Sequence, residues 1–556
     1  MVEVISVGAI LPFLGVLTAP EGVFIHELAQ PLIKLLGVTK PEDLLLPLTC
    51  IFAGTLLVAG AMRLTLAYVT SKFSYAVGAD FSMEVYRRSL YQPYSVHISR
   101  NSSEIINAIY GKTAMLIGSI LVPMLSLFSA TFLLCGLSLA MIAVDPLVTL
   151  GISSGLLIIY AAILRLTQFQ LRHNSEVIAI ESTRVIKSLQ EGLGGIRDVL
   201  IDGSQASYLT AYQNADRPLR AAQGSNSFIS ASPRYVVETL GMILIALLAY
   251  AMSQREGGMT TAVPLLGAMA LGAQRLLPVL QQVYSGLAII RGAEVSLRDT
   301  VALLDQPMPI NPSNSLPATL PFVTEIVLKE ISFSYTPSKV PVLQDINLVL
   351  PRGKRIGFMG STGSGKSTLL DIITGLLTPT EGSLLIDGQV VTEQNHRSWL
   401  SHIAYVPQSI YLADSSIEEN IAFGLPKKEI DPVRVRQAAK KAQMDEVIEG
   451  FPDKYLTRVG ERGVRLSGGQ RQRIGIARAL YKQADVIIFD EATSALDNET
   501  ESSVMQAIDS LSDELTILIV AHRLTTLQKC DFIVELQSGR VSRLGTYQEL
   551  VNFAKE

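Results

Sequence analysis

The chain has 556 residues, of which 48% are hydrophobic and 17% charged, with a formal net charge of −4. That length is enough for about two to four domains, and the charge gives no indication of a nucleic-acid partner. The three cysteines form no CxxC or Cys/His cluster, which argues against a zinc site or a disulfide framework.

Residues 1–300 contain long apolar runs, whereas residues 320–556 have the composition of a soluble α/β domain. A helix needs about 20 apolar residues to cross a bilayer. The sequence predicts six such spans. They are residues 4–19, 44–62, 115–143, 146–164, 236–253 and 261–283.

Lysine and arginine residues set the predicted orientation of these spans. The polar stretch 63–112 has six of them and the stretch 165–234 has eight, against three on the opposite side. Both stretches are therefore predicted to be cytoplasmic helices that continue beyond the bilayer. Six crossings also place the second half of the chain in the cytoplasm.

The first predicted span begins almost at Met1 and has no basic residue before it. A signal peptide would begin with a positive segment. We expect this first helix to be truncated, with residues missing upstream. A naturally short first helix is the alternative.

Three ionisable residues lie within or beside the predicted spans, namely Arg63, Glu238 and Arg275. Such residues are costly in a bilayer and usually face a cavity. The two arginines are candidates to bind a phosphate or another anionic head group of a substrate. Alternatively, Arg275 pairs with a carboxylate such as Glu238 and serves packing only.

A linker follows the spans, because residues 305–321 contain five prolines with Asn and Ser between them. The predicted domains are a transmembrane domain at 1–305, a linker at 306–321 and a soluble α/β domain at 322–556.

The second domain opens with strand patterns that lead into GSTGSGKST and then an apolar helix. This strand–loop–helix context predicts a phosphate-binding loop. Gly360, Gly363 and Gly365 allow the backbone to wrap around phosphate oxygens. Lys366 is predicted to reach the β- and γ-phosphates of ATP, and Ser367 to bind Mg²⁺. The other loop residues in the predicted nucleotide site are Ser361, Thr362, Ser364 and Thr368.

Polar residues follow three further predicted strands. Asp490 and Glu491 end the buried run VIIFDE, where Asp490 is predicted to hold Mg²⁺ and Glu491 to polarise the attacking water. Gln408 and His522 follow strands that should end at the same sheet edge, within reach of the γ-phosphate or its metal ion. Taken singly, each of these residues is also compatible with an ordinary strand end or turn.

The second half resembles an ATP-binding cassette (ABC) domain over its whole length. The matching motifs in chain order are the P-loop, Gln408 as the Q-loop, LSGGQ at 466–470, VIIFDE as the Walker B segment, SALD at 494–497 and His522 as the switch histidine. The resemblance further implies that Tyr335 stacks on adenine. It also implies that LSGGQ closes over the nucleotide held by the P-loop of a second cassette.

The sequence supports that second anion site, since Ser467, Gly468, Gly469 and Gln470 are predicted to begin a helix whose N–H groups point outward. ATP would then stabilise a closed pair of cassettes, and hydrolysis would let it open. With one cassette and one set of six spans, the chain is similar to exporter-type half-transporters. It is expected to pair with another half-transporter, most simply a second copy.

The predicted fold is therefore a multi-domain membrane protein. It has a six-helix, all-α transmembrane domain of the ABC exporter type, followed by an α/β P-loop NTPase domain. The predicted location is the plasma (inner) membrane.

The leading functional hypothesis is ATP-driven export or flipping of an amphipathic, lipid-linked saccharide. It is based on a weaker resemblance of QEGLGGIRDVLIDGSQ and LGAQRLLPVLQQVY to flippases of such lipids. The alternatives are an exporter of small hydrophobic compounds, drugs or peptides, and, less favoured, an ATP-gated channel or regulator.

Overall fold

The computed structural model describes residues 45–142, 146–253, 258–306, 320–335, 340–491, 514–521 and 524–553, with a few isolated residues between these ranges. The chain forms two compact units. One unit comprises Met1–Gln92 and Ser99–Met308, and the other comprises Pro93–Ile98 and Pro309–Glu556.

The first unit is built from long helices. Their bounds are α1 Leu45–Leu90, α3 at residues 102–142, α4 Pro146–Gly194, α5 Ile196–Ile201, α6 Gln205–Ala231, α7 Pro233–Ser253, α8 Gly258–Gly292 and α9 Glu294–Leu304. A separate short helix, α2 Tyr94–Ser99, belongs to the second unit as far as Ile98.

Hydropathy and length agree with membrane spans in the described part of the chain. Three helical runs there are long and apolar enough to cross a bilayer: Leu45–Leu90, Ser102–Leu139 and Ser153–Gly194. They contain the predicted spans that begin at residues 44, 115 and 146, except for a few residues at the ends of these spans. The predicted spans 236–253 and 261–283 lie on α7 and α8, and the span 4–19 lies outside the described residues.

These helices are longer than a bilayer requires. The 49 residues of α4, at about 1.5 Å per residue, extend roughly 70 Å, against about 30 Å for the hydrocarbon core. The polar stretches after the second and fourth predicted spans are thus largely helical, as the sequence predicts.

Helix α3 contains two π-helical segments, Asn107–Lys112 and Ile117–Leu121, within an otherwise α-helical run. The Thr113 hydroxyl donates to the carbonyl oxygen of Ala108, five residues earlier, at 3.1 Å. Such segments often occur at functional positions in helices.

The second unit contains two sheets. The strands are β1 Glu325–Phe333, β2 Leu343–Pro351, β3 Arg355–Met359, β4 Glu381–Ile386, β5 Gln389–Val390, β6 Ile403–Val406, β7 Val486–Asp490, β8 Thr516–Val520, β9 Phe532–Gln537 and β10 Arg540–Gly545. A four-stranded antiparallel sheet has the order β2-β1-β4-β5, and a six-stranded sheet has the order β10-β9-β3-β8-β7-β6, in which all strands except β10 are parallel.

Helices cover the larger sheet. They are α10 Lys366–Ile373, α11 His396–Ser401, α12 Ile417–Ile421, α13 Pro432–Lys441, α14 Asp445–Glu449, α15 Gly468–Lys482 and α16 Tyr547–Phe553. Short 3₁₀ helices occupy Lys427–Glu429, Lys454–Leu456, Glu461–Gly463 and Leu524–Leu527.

Strand β7 is buried on both faces, which explains its uninterrupted apolar sequence. Ile488 packs in the apolar cluster that joins α10 to the antiparallel sheet, whereas Ile487 packs in the cluster that contains α13 and α15. A central parallel strand between two layers has no solvent face and needs no polar alternation. This packing fixes the position of the carboxylates that follow the strand.

Candidate nucleotide site

The loop between β3 and α10 has a backbone that only glycine adopts easily. Gly360, Gly363 and Gly365 have φ angles of 152°, 82° and 100°. A Cβ atom at Gly360 would collide with the carbonyl oxygen of Leu536, and one at Gly365 would lie 2.7 Å from Cδ2 of Leu343. The loop is thus held tightly against its neighbours, with its N–H groups available to an anion.

Two side chains of this loop are placed for a ligand. Lys366 is only 6% exposed, and its Nζ donates to the carbonyl oxygens of Gly360 at 2.9 Å and Ser361 at 3.0 Å. The hydroxyl of Ser364 is buried and has no hydrogen-bond partner in the described part of the chain. Because an unsatisfied buried hydroxyl is unfavourable, it supports a polar ligand at this loop. Ser367, by contrast, is exposed in the first turn of α10.

Tyr335 lies against the same helix. Its hydroxyl shares a hydrogen bond of 3.0 Å with the hydroxyl of Thr368, and its ring meets that of Phe333 edge to face at 4.9 Å. The aromatic residue named from the resemblance is therefore next to the phosphate loop.

The remaining described polar residues meet at the carboxyl end of the parallel strands. Gln408 follows β6, and its Nε2 donates to Oε2 of Glu491 at 2.7 Å. Glu491 has a positive φ of 50°, and its backbone N–H donates to the carbonyl oxygen of Val520 on β8 at 3.1 Å. Neighbouring parallel strands thus bring together residues 83 positions apart.

Two residues that the sequence analysis missed belong to this edge. The hydroxyl of Tyr405 on β6 donates to Oδ2 of Asp490 at 2.7 Å. Burial, and then the contact with Asp490, raise the pKa of Tyr405 above its ordinary value, so the hydroxyl remains a donor. Burial and the negative charge of Asp490 raise the pKa of Asp371 to about 6.

A signal for Asp371 was present in the sequence. It lies four residues after Ser367 on the same helix, and residues four apart share a helix face. The role of Tyr405 had no comparable signal, because it depends on the pairing of β6 with β7.

The LSGGQ segment begins helix α15. The hydroxyl of Ser467 accepts from the N–H of Gln470 at 3.2 Å, and Oε1 of Gln470 accepts from the N–H of Ser467 at 2.9 Å. This reciprocal cap is a capping box. It leaves the first-turn N–H groups of Gly468 and Gly469, with the positive end of the helix dipole, available to an anion.

Several predicted residues are apart from this site or outside the described residues. His522 and the SALD segment at 494–497 lie outside the described residues, as does the side chain of Arg275 on α8. Arg63 is exposed on α1, and Glu238 on α7 accepts from Nε of Arg234 at 2.8 Å. The three candidate substrate residues therefore occupy three different helices.

The lack of room for a side chain at Gly360 allows a direct test of the phosphate loop. We expect Gly360→Ala to lower ATP affinity about tenfold or more, because the added methyl group forces the loop away from Leu536. Gly388 is the matched control, since its φ is also positive, at 80°, but a Cβ atom there would have no neighbour within 4 Å. Equilibrium binding of a fluorescent ATP analogue measures both variants. Equal affinities would show that the space at Gly360 does not determine nucleotide binding.

Comparisons with known proteins match both units to ABC transporters. The family model for the ABC transporter transmembrane region matches residues 23–262, and the ABC transporter model matches residues 343–494. An ATP-dependent lipid A-core flippase of Cupriavidus pinatubonensis is 29% identical over 98% of this chain and 92% of that protein. A putative multidrug export ATP-binding/permease protein of Bacillus subtilis, YgaD, is 41% identical over 42% of this chain and 40% of that protein.

The solved structure of a bacterial Atm1-family ABC exporter with ATP bound has a TM-score of 0.78 at 22% identity. The match covers 99% of this chain and 96% of that one. At that identity it shows the fold, which is the exporter fold expected from the sequence.

Proposed function

The chain belongs to the ABC transporter family, and on that premise we propose that it flips or exports an amphipathic, lipid-linked saccharide. It is a multi-pass membrane protein whose ATP-binding domain hydrolyses ATP to drive transport. The observation that carries the catalytic part of the proposal is the hydrogen bond between Gln408 and Glu491 at the carboxyl end of the parallel strands.

In this proposal each residue of the ATP site has one task. The backbone of the glycine loop binds the phosphates, and Lys366 exchanges its loop carbonyl partners for phosphate oxygens. Glu491 polarises the attacking water, with Gln408 fixing the orientation of its carboxylate. Tyr335 provides an aromatic face for adenine, and His522 acts near the γ-phosphate.

The residues present also fit a magnesium ion, which prefers oxygen ligands from hydroxyl groups, carboxylates and phosphates. Ser367 offers an exposed hydroxyl, and Asp490 a carboxylate at the end of β7. The side-chain oxygen of Gln408 completes the proposed protein ligands. When bound, the ion would neutralise charge on the phosphates.

Two chains are needed for complete sites in this proposal. The capped start of α15 supports an anion site for the ATP held by a partner, and the presence of one transmembrane and one ATP-binding domain favours a homodimer. The basic polar stretches favour a cytoplasmic position for the ATP-binding domain, and the proposed membrane is the plasma (inner) membrane.

The proposed substrate class is supported by the full-length similarity to the lipid A-core flippase of C. pinatubonensis. A second candidate, export of hydrophobic compounds, is supported by the partial similarity to the putative multidrug exporter of B. subtilis. ATPase activity in lipid, titrated with polyprenyl-linked saccharides and with hydrophobic drugs, separates the two. Stimulation by the saccharides alone supports the flippase, and stimulation by the drugs alone overturns it.

The contact between Tyr405 and Asp490 predicts a specific effect on magnesium. We expect Tyr405→Phe to raise the Mg²⁺ concentration for half-maximal binding of a fluorescent ATP analogue about three- to tenfold. The reason is that a hydrogen bond to a charged group contributes about 1.5–3 kcal/mol, only part of which reaches the metal. Binding without Mg²⁺ should not change. Tyr411→Phe, on an exposed ring, is the control. The same Mg²⁺ requirement in both variants would contradict a positioning role for Tyr405.

A further inference from the structure

The first unit contains a cavity of about 470 Å³ between α3, α4, α6, α8 and α9, a volume within the range of small-molecule sites. Eight of its fourteen lining residues carry neutral hydrogen-bonding groups. These are Asn107, Ser119, Ser182, Gln223, Asn226, Ser227, Ser230 and Ser296. This many polar side chains between long helices need hydrogen-bond partners, because a polar group without one is unfavourable when it is removed from water.

The lining presents almost no net charge. Lys112 is the one formally charged residue among the described lining residues, and its Nζ is 2.5 Å from Oδ2 of Asp299. A phosphate site would be expected to offer unpaired cations or arginine forks. A ligand rich in hydroxyl groups could form hydrogen bonds with the amides and hydroxyls that line this cavity, because a hydroxyl group both donates and accepts.

Part of the lining is held in a fixed geometry. Nδ2 of Asn107, which is 2% exposed, donates to the hydroxyls of Ser182 and Thr183, each at 2.9 Å. Oδ1 of Asn226 accepts from Asn174 at 2.8 Å. By contrast, the hydroxyls of Ser119, which is half-buried, and Ser227, which is exposed, make no hydrogen bond among the described residues and line the cavity.

The position of the cavity relative to the bilayer favours binding of the polar part of an amphipathic molecule. Asn107 precedes the apolar run that starts at Met115 by eight residues, and Ser227 precedes the run that starts at Val236 by nine. At about 1.5 Å per residue, these positions are roughly 12–14 Å beyond the apolar runs. Ser119, by contrast, lies four residues inside the run that starts at Met115. The cavity therefore extends outward from the end of the hydrocarbon, so acyl or prenyl chains would remain in the lipid while a head group reached the cavity.

We propose that this cavity binds the uncharged, hydroxyl-rich sugar portion of the transported lipid, with the unpaired hydroxyls of Ser119 and Ser227 as direct contacts. The inference rests on the proposed function and adds to it the position and chemistry of the head-group site. The first π-helical segment of α3 supplies Asn107 and Lys112 to the lining, in keeping with the use of such segments at functional positions.

The test is protection of a single cysteine. The chain has three cysteines, all free thiols, and the variant Cys50→Ser, Cys135→Ser, Cys530→Ala provides a cysteine-free background. Ser227→Cys is then introduced in the full-length protein, with Ser207→Cys as the control, since Ser207 is an exposed serine on the same helix outside the cavity. A single symmetric peak in size-exclusion chromatography, with the thermal unfolding midpoint of the cysteine-free background, shows that each variant is folded.

The labelling rate with a water-soluble maleimide is measured alone, with a polyprenyl-phosphate-linked oligosaccharide, and with the matching sugar-free polyprenyl phosphate. We expect the sugar-bearing lipid to slow labelling of Ser227→Cys about tenfold or more. The sugar-free lipid should change it less than about twofold, and Ser207→Cys should label equally throughout.

Equal protection by both lipids overturns the assignment of sugar, because the cavity would then bind the lipid portion. ATPase stimulation by the sugar-bearing lipid without protection overturns the cavity and leaves the proposed function standing. Neither stimulation nor protection overturns both.

Discussion

Replacing Glu491 by Gln is expected to lower the rate of ATP hydrolysis about a hundredfold or more while ATP binding remains within about threefold of wild type. A positioned general base contributes about 10²–10⁴ to a rate. The amide oxygen of the new side chain can still accept from Nε2 of Gln408, which in the wild-type protein is 2.7 Å from Oε2 of Glu491. The variant therefore keeps the geometry at the carboxyl end of the parallel strands. The lower rate of hydrolysis can then be attributed to the missing negative charge.

Phosphate release at saturating ATP measures this effect, with binding of a fluorescent ATP analogue measured beside it. Glu429→Gln, on an exposed 3₁₀ helix, removes one carboxylate elsewhere on the same unit and should hydrolyse ATP normally. Retention of more than about a tenth of wild-type hydrolysis by Glu491→Gln would assign the activation of water to another group.

The proposal that each ATP site is shared between two chains leads to a second prediction, which concerns mixed dimers. Lys366→Ala removes the ammonium group that is proposed to bind the phosphates of ATP. Gly468→Asp adds a negative charge where the first turn of α15 is proposed to bind the partner's phosphate. No atom lies within 4 Å of the Cβ position at Gly468, and an acidic residue at a helix start favours the helix, so this variant should fold.

The expected rate of ATP hydrolysis depends on whether the two substitutions are in different chains of the dimer or in the same chain. With Lys366→Ala in one chain and Gly468→Asp in the other, one composite site has both defects and the other has none. We therefore expect about half of wild-type hydrolysis if the sites act independently, and less if they cooperate. With both changes in one chain and a wild-type partner, each composite site has one defect, and hydrolysis should fall about twentyfold or more.

Purified dimers carrying a different affinity tag on each chain give the measurement. A site formed within one chain predicts the reverse order, because the wild-type partner would then keep a complete site. Higher activity in the dimer with one wild-type chain would thus contradict the proposed assembly.

The features that were predictable from the sequence are those encoded by neighbouring residues. The phosphate loop at Gly360–Thr368 and the helix start at Ser467 each lie in one short segment, so spacing alone indicates their chemistry. Helices that cross the bilayer are likewise read from local hydropathy, as α1 and α4 show.

The features that could not be predicted from the sequence depend on packing between segments that are distant along the chain. Tyr405 meets Asp490 only because β6 pairs with β7, and the cavity exists only because α3, α4, α6 and α8 leave space between polar side chains. Charged residues within spans, such as Arg275, stand out in a sequence, whereas neutral Asn and Ser in the helical extensions give no comparable signal and were not predicted as site residues. The contact between Arg234 and Glu238 was readable from their spacing of four residues but was not identified.

The central claim is that ATP hydrolysis by this protein moves a lipid-linked saccharide across a membrane. The most direct test is translocation in proteoliposomes, with a fluorescent polyprenyl-phosphate-linked oligosaccharide whose sugar is quenched or cleaved only on the outer face. The account predicts an ATP-dependent change in the protected fraction for wild type and none for Glu491→Gln, with sugar-free polyprenyl phosphate unmoved. Equal movement in wild type and Glu491→Gln, or movement without ATP, would contradict it.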